Sequence, residues 1–144
     1  MQQKRHRKGL TLIEIMAVLL IIGLMAGLAA RNFMGQTDRA RVVRTKADLK
    51  TLHGAVNLFR LDTGRYPSEE MGLIELIEEP TDVTGWEPGG YLETTQVPRD
   101  AWGNEYIYML NPGTGRPFVI LSYGADGREG GEGYDADLYS TDVD

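Results

Sequence analysis

KGLTLIEIMAVLLIIGLMAGLAA, residues 8–30, opens on a lysine and then carries one ionisable group, Glu14, in an otherwise apolar run. From Leu10 to Ala30 it is 21 residues long. As a helix rising ~1.5 Å per residue it is about 31 Å long, which matches a hydrocarbon core of roughly 30 Å. The run is therefore expected to span a membrane. A secretory signal peptide would have a shorter apolar stretch and lose its helical character after a small-residue cleavage site; here the helical pattern continues past Ala30. Lys4, Arg5, Arg7 and Lys8 precede the run with no acid among them. Such a cluster stays on the cytoplasmic side and sends the rest of the chain outward.

Beyond Ala30, Val42, Leu49, Leu52, Val56 and Phe59 recur at spacings of 7, 3, 4 and 3, flanked by Arg39, Arg41, Arg44, Lys46 and Lys50. This is the stripe of an amphipathic helix, stopped by Gly64 and Pro67. One helix over Leu10 to Leu61 would be about 78 Å long. The basic cluster reads as a solvated helix face or a meeting point for acidic loops of neighbouring subunits. Gly23 and Gly27 form a GxxxG pair, read equally well as a helix contact or as incidental.

From Asp62 the character changes. Ser68 caps an expected short helix through residues 71–77 that ends at Pro80, and a Gly-, Pro- and Thr-rich connection runs to about Pro98. The alternating runs 105–110 and 118–123, joined by Asn111-Pro112-Gly113-Thr114-Gly115-Arg116, predict an antiparallel hairpin. A small sheet covered by the helix stripe buries both. Tyr66, Trp86, Trp102, Tyr106 and Phe118 are expected as core and turn anchors.

Charge and composition exclude several functions. The net charge is −6, and removing the first nine residues takes it to −10, since 15 basic residues become 11 against 21 acids. From Asp62 to Asp144 the basic residues are Arg65, Arg99, Arg116 and Arg128, a poor surface for nucleic acid. With no cysteine, neither a disulfide nor a thiolate metal site can form. His6 and His53 are the two histidines and belong to no nucleophile or acid–base constellation. An enzyme is not expected.

Two features invite function. A carboxylate inside a bilayer costs roughly 2.5–3.5 kcal/mol at a helix centre and less near an end. Glu14 therefore either snorkels to the interface, four residues from Leu10, or awaits a partner. The second feature is GADGREGGEGYDADL, residues 124–138, whose glycines free the backbone around Asp126, Asp135 and Asp137. It reads as a solvated acidic loop or as an oxygen-rich site for a hard cation, with six to eight ligands at about 2.3–2.6 Å for calcium. Its spacing fits neither an EF-hand nor a stacked calcium repeat.

Lys8-Gly9 followed by Leu10-Thr11-Leu12-Ile13-Glu14 and the apolar run resembles the class III leader of type IV pilins and pseudopilins. Tyr66-Pro67 with Gly72-Leu73, Pro98-Arg99-Asp100-Ala101-Trp102-Gly103-Asn104, and Gly124-Ala125-Asp126-Gly127 narrow the resemblance to the major pseudopilins of type II secretion, over essentially the whole chain. It implies a pilin-like α+β fold with a long N-terminal helix, half transmembrane and half amphipathic, on a three-stranded antiparallel sheet. Residues 1–9 would be a leader removed by a prepilin peptidase, 10–30 the membrane segment, 31–64 the amphipathic half, and 65–144 a periplasmic domain. Cleavage between Gly9 and Leu10, N-methylation of Leu10 and an assembly role for Glu14 follow by the same resemblance. Calcium would be held by Asp126, Asp135 and Asp137, with backbone help from Tyr123 and Gly133.

The implied function is a subunit of the inner membrane that polymerises helically into a periplasmic pseudopilus for export of folded proteins. Its partners would be other copies, minor pseudopilins and the inner-membrane assembly platform. The alternative is a pilin of an adhesion or DNA-uptake filament. Two departures stand out: Leu10 replaces the usual Phe, and Arg31 replaces the usual Pro, which removes a local cause for a helix break.

Overall fold

The computed structural model describes residues 11–142, leaving out the side chains of 29–36. Its first element is α1, Leu12–Thr63, 52 residues long. The expected leader, which ends at Gly9, and Leu10 lie outside the described residues. Two compact units divide the chain, meeting at Thr37 and Asp38.

In the first unit every residue from 12 to 28 is exposed, Leu12 at 80% and Leu28 at 67%. Over these described residues the helix is apolar all round apart from Glu14. Among the described residues no helix is long and apolar enough to cross a membrane. The expected span, 10–30, begins before the first described residue and ends among side chains that are left out.

The second unit is built on the part of α1 from Asp38 onward. Leu49, Leu52, Val56 and Phe59 are fully buried, as their spacing predicts, and Val42 is half-buried. Thr45 continues the stripe and is also fully buried. Its polarity hid it in the sequence; its Oγ1 accepts the Ala101 N–H at 3.2 Å, which satisfies it. The helix ends two residues later than expected, where the Thr63 hydroxyl donates to the Phe59 carbonyl and Gly64 turns with φ +80°.

The short helix is a 3₁₀ turn, η1, Gly72–Leu76. Ser68 takes the Met71 N–H at 3.3 Å on its hydroxyl, but η1 itself has no side-chain cap. Then come β1, Ile107–Leu110; β2, Phe118–Ser122; and β3, Leu138–Tyr139. All pairing is antiparallel, with β2 in the centre; Leu110 pairs with Phe118, and Leu121 with Tyr139. β1 begins later than its alternation suggests, because Glu105 is taken by an isolated bridge to Arg99.

β2 is buried at every position and does not alternate; β1 pairs with it over residues 118–121 and β3 at Leu121 and Ser122. Phe118 and Ile120 pack with Leu49, Leu52, Val56, Phe59, Leu73 and Leu76. Tyr106 is buried, and Tyr66 and Trp86 pack at the rim of this core. The architecture is α+β, a helix on a three-stranded antiparallel sheet.

Candidate functional site

The first turn of α1 is closed by a reciprocal pair. Thr11 donates its backbone N–H at 2.8 Å and its hydroxyl at 2.9 Å to Oε2 of Glu14, while the Glu14 N–H points back to the Thr11 Oγ1 at 3.4 Å. This is a capping box, Thr-x-x-Glu, in which both side chains satisfy amide groups that the helix leaves without partners. The carboxylate also lies at the positive end of the helix dipole. Glu14 was singled out by its charge. Thr11 was missed, although the Thr-x-x-Glu signature before an apolar run could have found it.

The second candidate region is the loop from Tyr123 to Leu138. Gly124 is buried with φ +65°, and a Cβ there would stand 2.7 Å from the Asp135 carbonyl oxygen. The loop is drawn together by the Ala125 N–H donating to the Tyr134 carbonyl at 2.9 Å. Asp126 Oδ1 accepts from Arg128 N at 3.0 Å, and both oxygens of Asp137 accept from Gly130 N at 3.1 Å. The Tyr139 hydroxyl also donates to Asp137, at 3.3 Å; its burial, then the neighbouring carboxylate, pushes its ionisation above the usual tyrosine range.

Asp135 is exposed, Tyr123 is half-buried and Gly133 is exposed with φ +64°. Among the described residues no group of three or more His, Asp or Glu side chains is placed to hold a metal ion. The donors are hard oxygens, as calcium requires, but two of the three carboxylates are engaged with backbone amides.

The base of this loop rests on a buried hub that sequence reading did not identify. Asp100 is 4% exposed. Its Oδ1 accepts from Trp102 N at 3.0 Å and Asn104 N at 2.8 Å, and its Oδ2 from the Ser122 hydroxyl at 2.6 Å. Ser122 Oγ in turn accepts the Gly124 N–H at 3.2 Å, and Asn104 Nδ2 donates to the Gly124 carbonyl at 3.0 Å. The 98–104 stretch is thus a bracket that sets the exit of β2 into the acidic loop.

A second buried acid, Glu75, pairs with Arg65 at 2.7 Å, and Arg65 reaches Asp82 at 2.8 Å. With Trp86 Nε1 donating to the Glu75 carbonyl at 2.9 Å, this pins the long connection to η1.

Residues 32–141 match the family described as "Type II secretion system (T2SS), protein G", and residues 4–30 match the "Prokaryotic N-terminal methylation motif". The type II secretion system core protein G of Pseudomonas aeruginosa is 43% identical over 143 residues, 97% of this chain and 99% of that relative. The protein of the same name from Vibrio cholerae is 36% identical over 140 residues, covering 96% and 94%. Among solved structures, the major pseudopilin from the type 2 secretion system of enterohaemorrhagic Escherichia coli aligns with a TM-score of 0.62 at 33% identity, over 74% of this chain and 87% of that one.

Proposed function

The chain belongs to the type II secretion system protein G family, and we propose that it works as a membrane-born subunit of the periplasmic pseudopilus, polymerising to move folded proteins outward. It is a major pseudopilin and a structural subunit rather than an enzyme. The observation that carries the polymer reading is an all-round exposed apolar helix, 12–28, with one carboxylate in its first turn.

Such a helix needs lipid or other helices around it. The basic leader holds the precursor with Lys4 to Lys8 in the cytoplasm, where a prepilin peptidase cuts between Gly9 and Leu10 and methylates the new amine. In the monomer, Thr11 and the helix N-terminus offset part of the cost of keeping the Glu14 carboxylate in lipid. When helices pack, that carboxylate meets the Leu10 amine of an adjacent copy, and two desolvated charges become one pair. Lipid therefore favours the assembled state.

Calcium has a structural role in this reading, held by Asp126, Asp135 and Asp137 with the Tyr123 and Gly133 carbonyls. The loop supports it by its donor chemistry and its closure at Gly124; the ion would compete with Gly130 N and Arg128 N for two of the carboxylates. It would supply positive charge to a segment, 124–138, with five acids and Arg128 alone against them.

The test compares the unsubstituted chain with Glu14→Ala in the native membrane. Both are expected to lose Met1 to Gly9 and gain a methyl on Leu10 by mass spectrometry, while only the unsubstituted chain forms fibres. An unprocessed chain, or ordinary fibres from the alanine variant, would refute the mechanism.

A further inference from the structure

The exposed side of α1 in the second unit carries an apolar stripe that the core does not use. At about 100° per residue, Val43, Ala47, Gly54, Leu58 and Leu61 fall in a strip about 60° wide. It lies about 180° from the strip of Thr45, Leu49, Leu52, Val56 and Phe59 that is buried in the core. All five are exposed, Val43 at 63%, Leu58 at 49% and Leu61 at 76%. Gly54 lies mid-stripe, where a Cβ would meet nothing within 4 Å. Glycine is a poor residue for an exposed helix interior, but it lets another backbone come close. One flank of the stripe is basic: Lys46 and Lys50 are exposed and make no ion pair among the described residues.

The complementary surface is on the same unit. Met71, which precedes η1, and Ile74 within it are 40% and 44% exposed, and beside them an open groove of about 510 Å³ runs between η1 and β1, lined by Val97 and Ile107 together with the polar Gln96, Arg99 and Glu105. Glu69 and Glu70 form its rim, exposed and without ion pairs among the described residues.

We infer that the outer α1 stripe of one copy docks into the η1 groove of the next, Leu58 and Leu61 entering the groove and Lys46 and Lys50 meeting Glu69 and Glu70. A second copy is the occupant because the apolar stripe has a basic flank and the groove, of mixed lining, has an acidic rim at Glu69 and Glu70, both on one chain; the Arg99 in its lining is already paired with Glu105 at 2.7 Å. The two surfaces differ, so the contact is head-to-tail and, repeated, builds a helical filament rather than a closed dimer. The inference rests on the polymeric reading above and names the surfaces that reading leaves open.

The absence of cysteine makes the test clean. Full-length Leu58→Cys/Ile74→Cys, expressed with the secretion machinery and oxidised in the membrane, is expected to give a ladder of disulfide-linked multimers, with no ladder from either single variant. Adding Lys46→Glu and Lys50→Glu is expected to lower the yield about fivefold, and Glu69→Lys with Glu70→Lys on the same chain to restore it.

Fibres without a ladder would overturn this docking while leaving the subunit reading intact. Dimers from Leu58→Cys alone would overturn it in favour of a symmetric helix contact, and cross-links only to a different protein would overturn it in favour of another occupant. Failure of the charge exchange to restore the ladder would remove the Lys–Glu pairing. No fibres even from the unsubstituted chain would remove the polymeric reading, and this inference with it.

Discussion

Asp100 and His53 show how single side chains hold the outer unit. Asp100 answers three donors in a place that water does not reach, so Asp100→Ala leaves the Ser122 hydroxyl and two amides unsatisfied. The expected loss is about 3 kcal/mol, against roughly half that for Asp100→Asn, which keeps one acceptor; urea unfolding of the detergent-solubilised chain measures both. His53 stacks on Phe118 with ring centroids 4.6 Å apart, and its Nδ1 lies 3.3 Å from the Ser140 hydroxyl. Burial, then the nearby Arg116 charge, pulls its ionisation below the ordinary histidine value. The folded state therefore binds the proton less well than the unfolded one. The stability this contributes is present above a free-histidine pKa of about 6.5 and is lost as pH falls through the lower folded value. Thermal melts from about pH 7.5 down to pH 5 should show a falling melting temperature, with a shallower slope in His53→Gln.

Among elements, α1 was the most legible. Its buried stripe repeats every three or four residues, and that period is local chemistry that a sequence displays directly. The hairpin was legible for the same reason, with Asn111 adopting φ +49° in the turn between its strands. β3 was expected only through the family resemblance and its place was not legible: it is two residues long, and it forms where Leu138 and Tyr139 meet Ser122 and Leu121 across the whole acidic loop. That return depends on Gly124. In Gly124→Ala the new methyl would meet the carbonyl oxygens of Asp135 and Ala136 at 2.7 and 2.8 Å, in a backbone conformation that alanine adopts poorly. The expected cost is about 3 kcal/mol, against about 1 kcal/mol for Gly113→Ala, whose Cβ enters open space at a similar φ. Equal costs in calorimetry would show that the close approach at Gly124 does not constrain the fold.

For the chain taken entire, charge is the organising quantity. Basic residues cluster before Glu14 and along α1, while residues 124–138 hold five acids against Arg128. If calcium occupies that loop in the folded state, chelation should lower the melting temperature, by the equivalent of about 2.7 kcal/mol where calcium had been at 100 times its dissociation constant. An unchanged melt together with no calcium in the purified protein would rule the ion out.

The residue order alone carried the apolar run with its acid, the amphipathic repeat and the hairpin, because each is written in neighbours a few positions apart, and the subunit class through the resemblance of its motifs to a known family. Folding added the burial of Thr45, Asp100 and Glu75, the present engagement of Asp126 and Asp137 with backbone amides, and the pairing of β3. A buried polar atom is tolerable only beside a specific donor or acceptor, and here those partners lie far off in the chain: Thr45 finds Ala101 across 56 positions, and Asp100 finds Ser122 across 22.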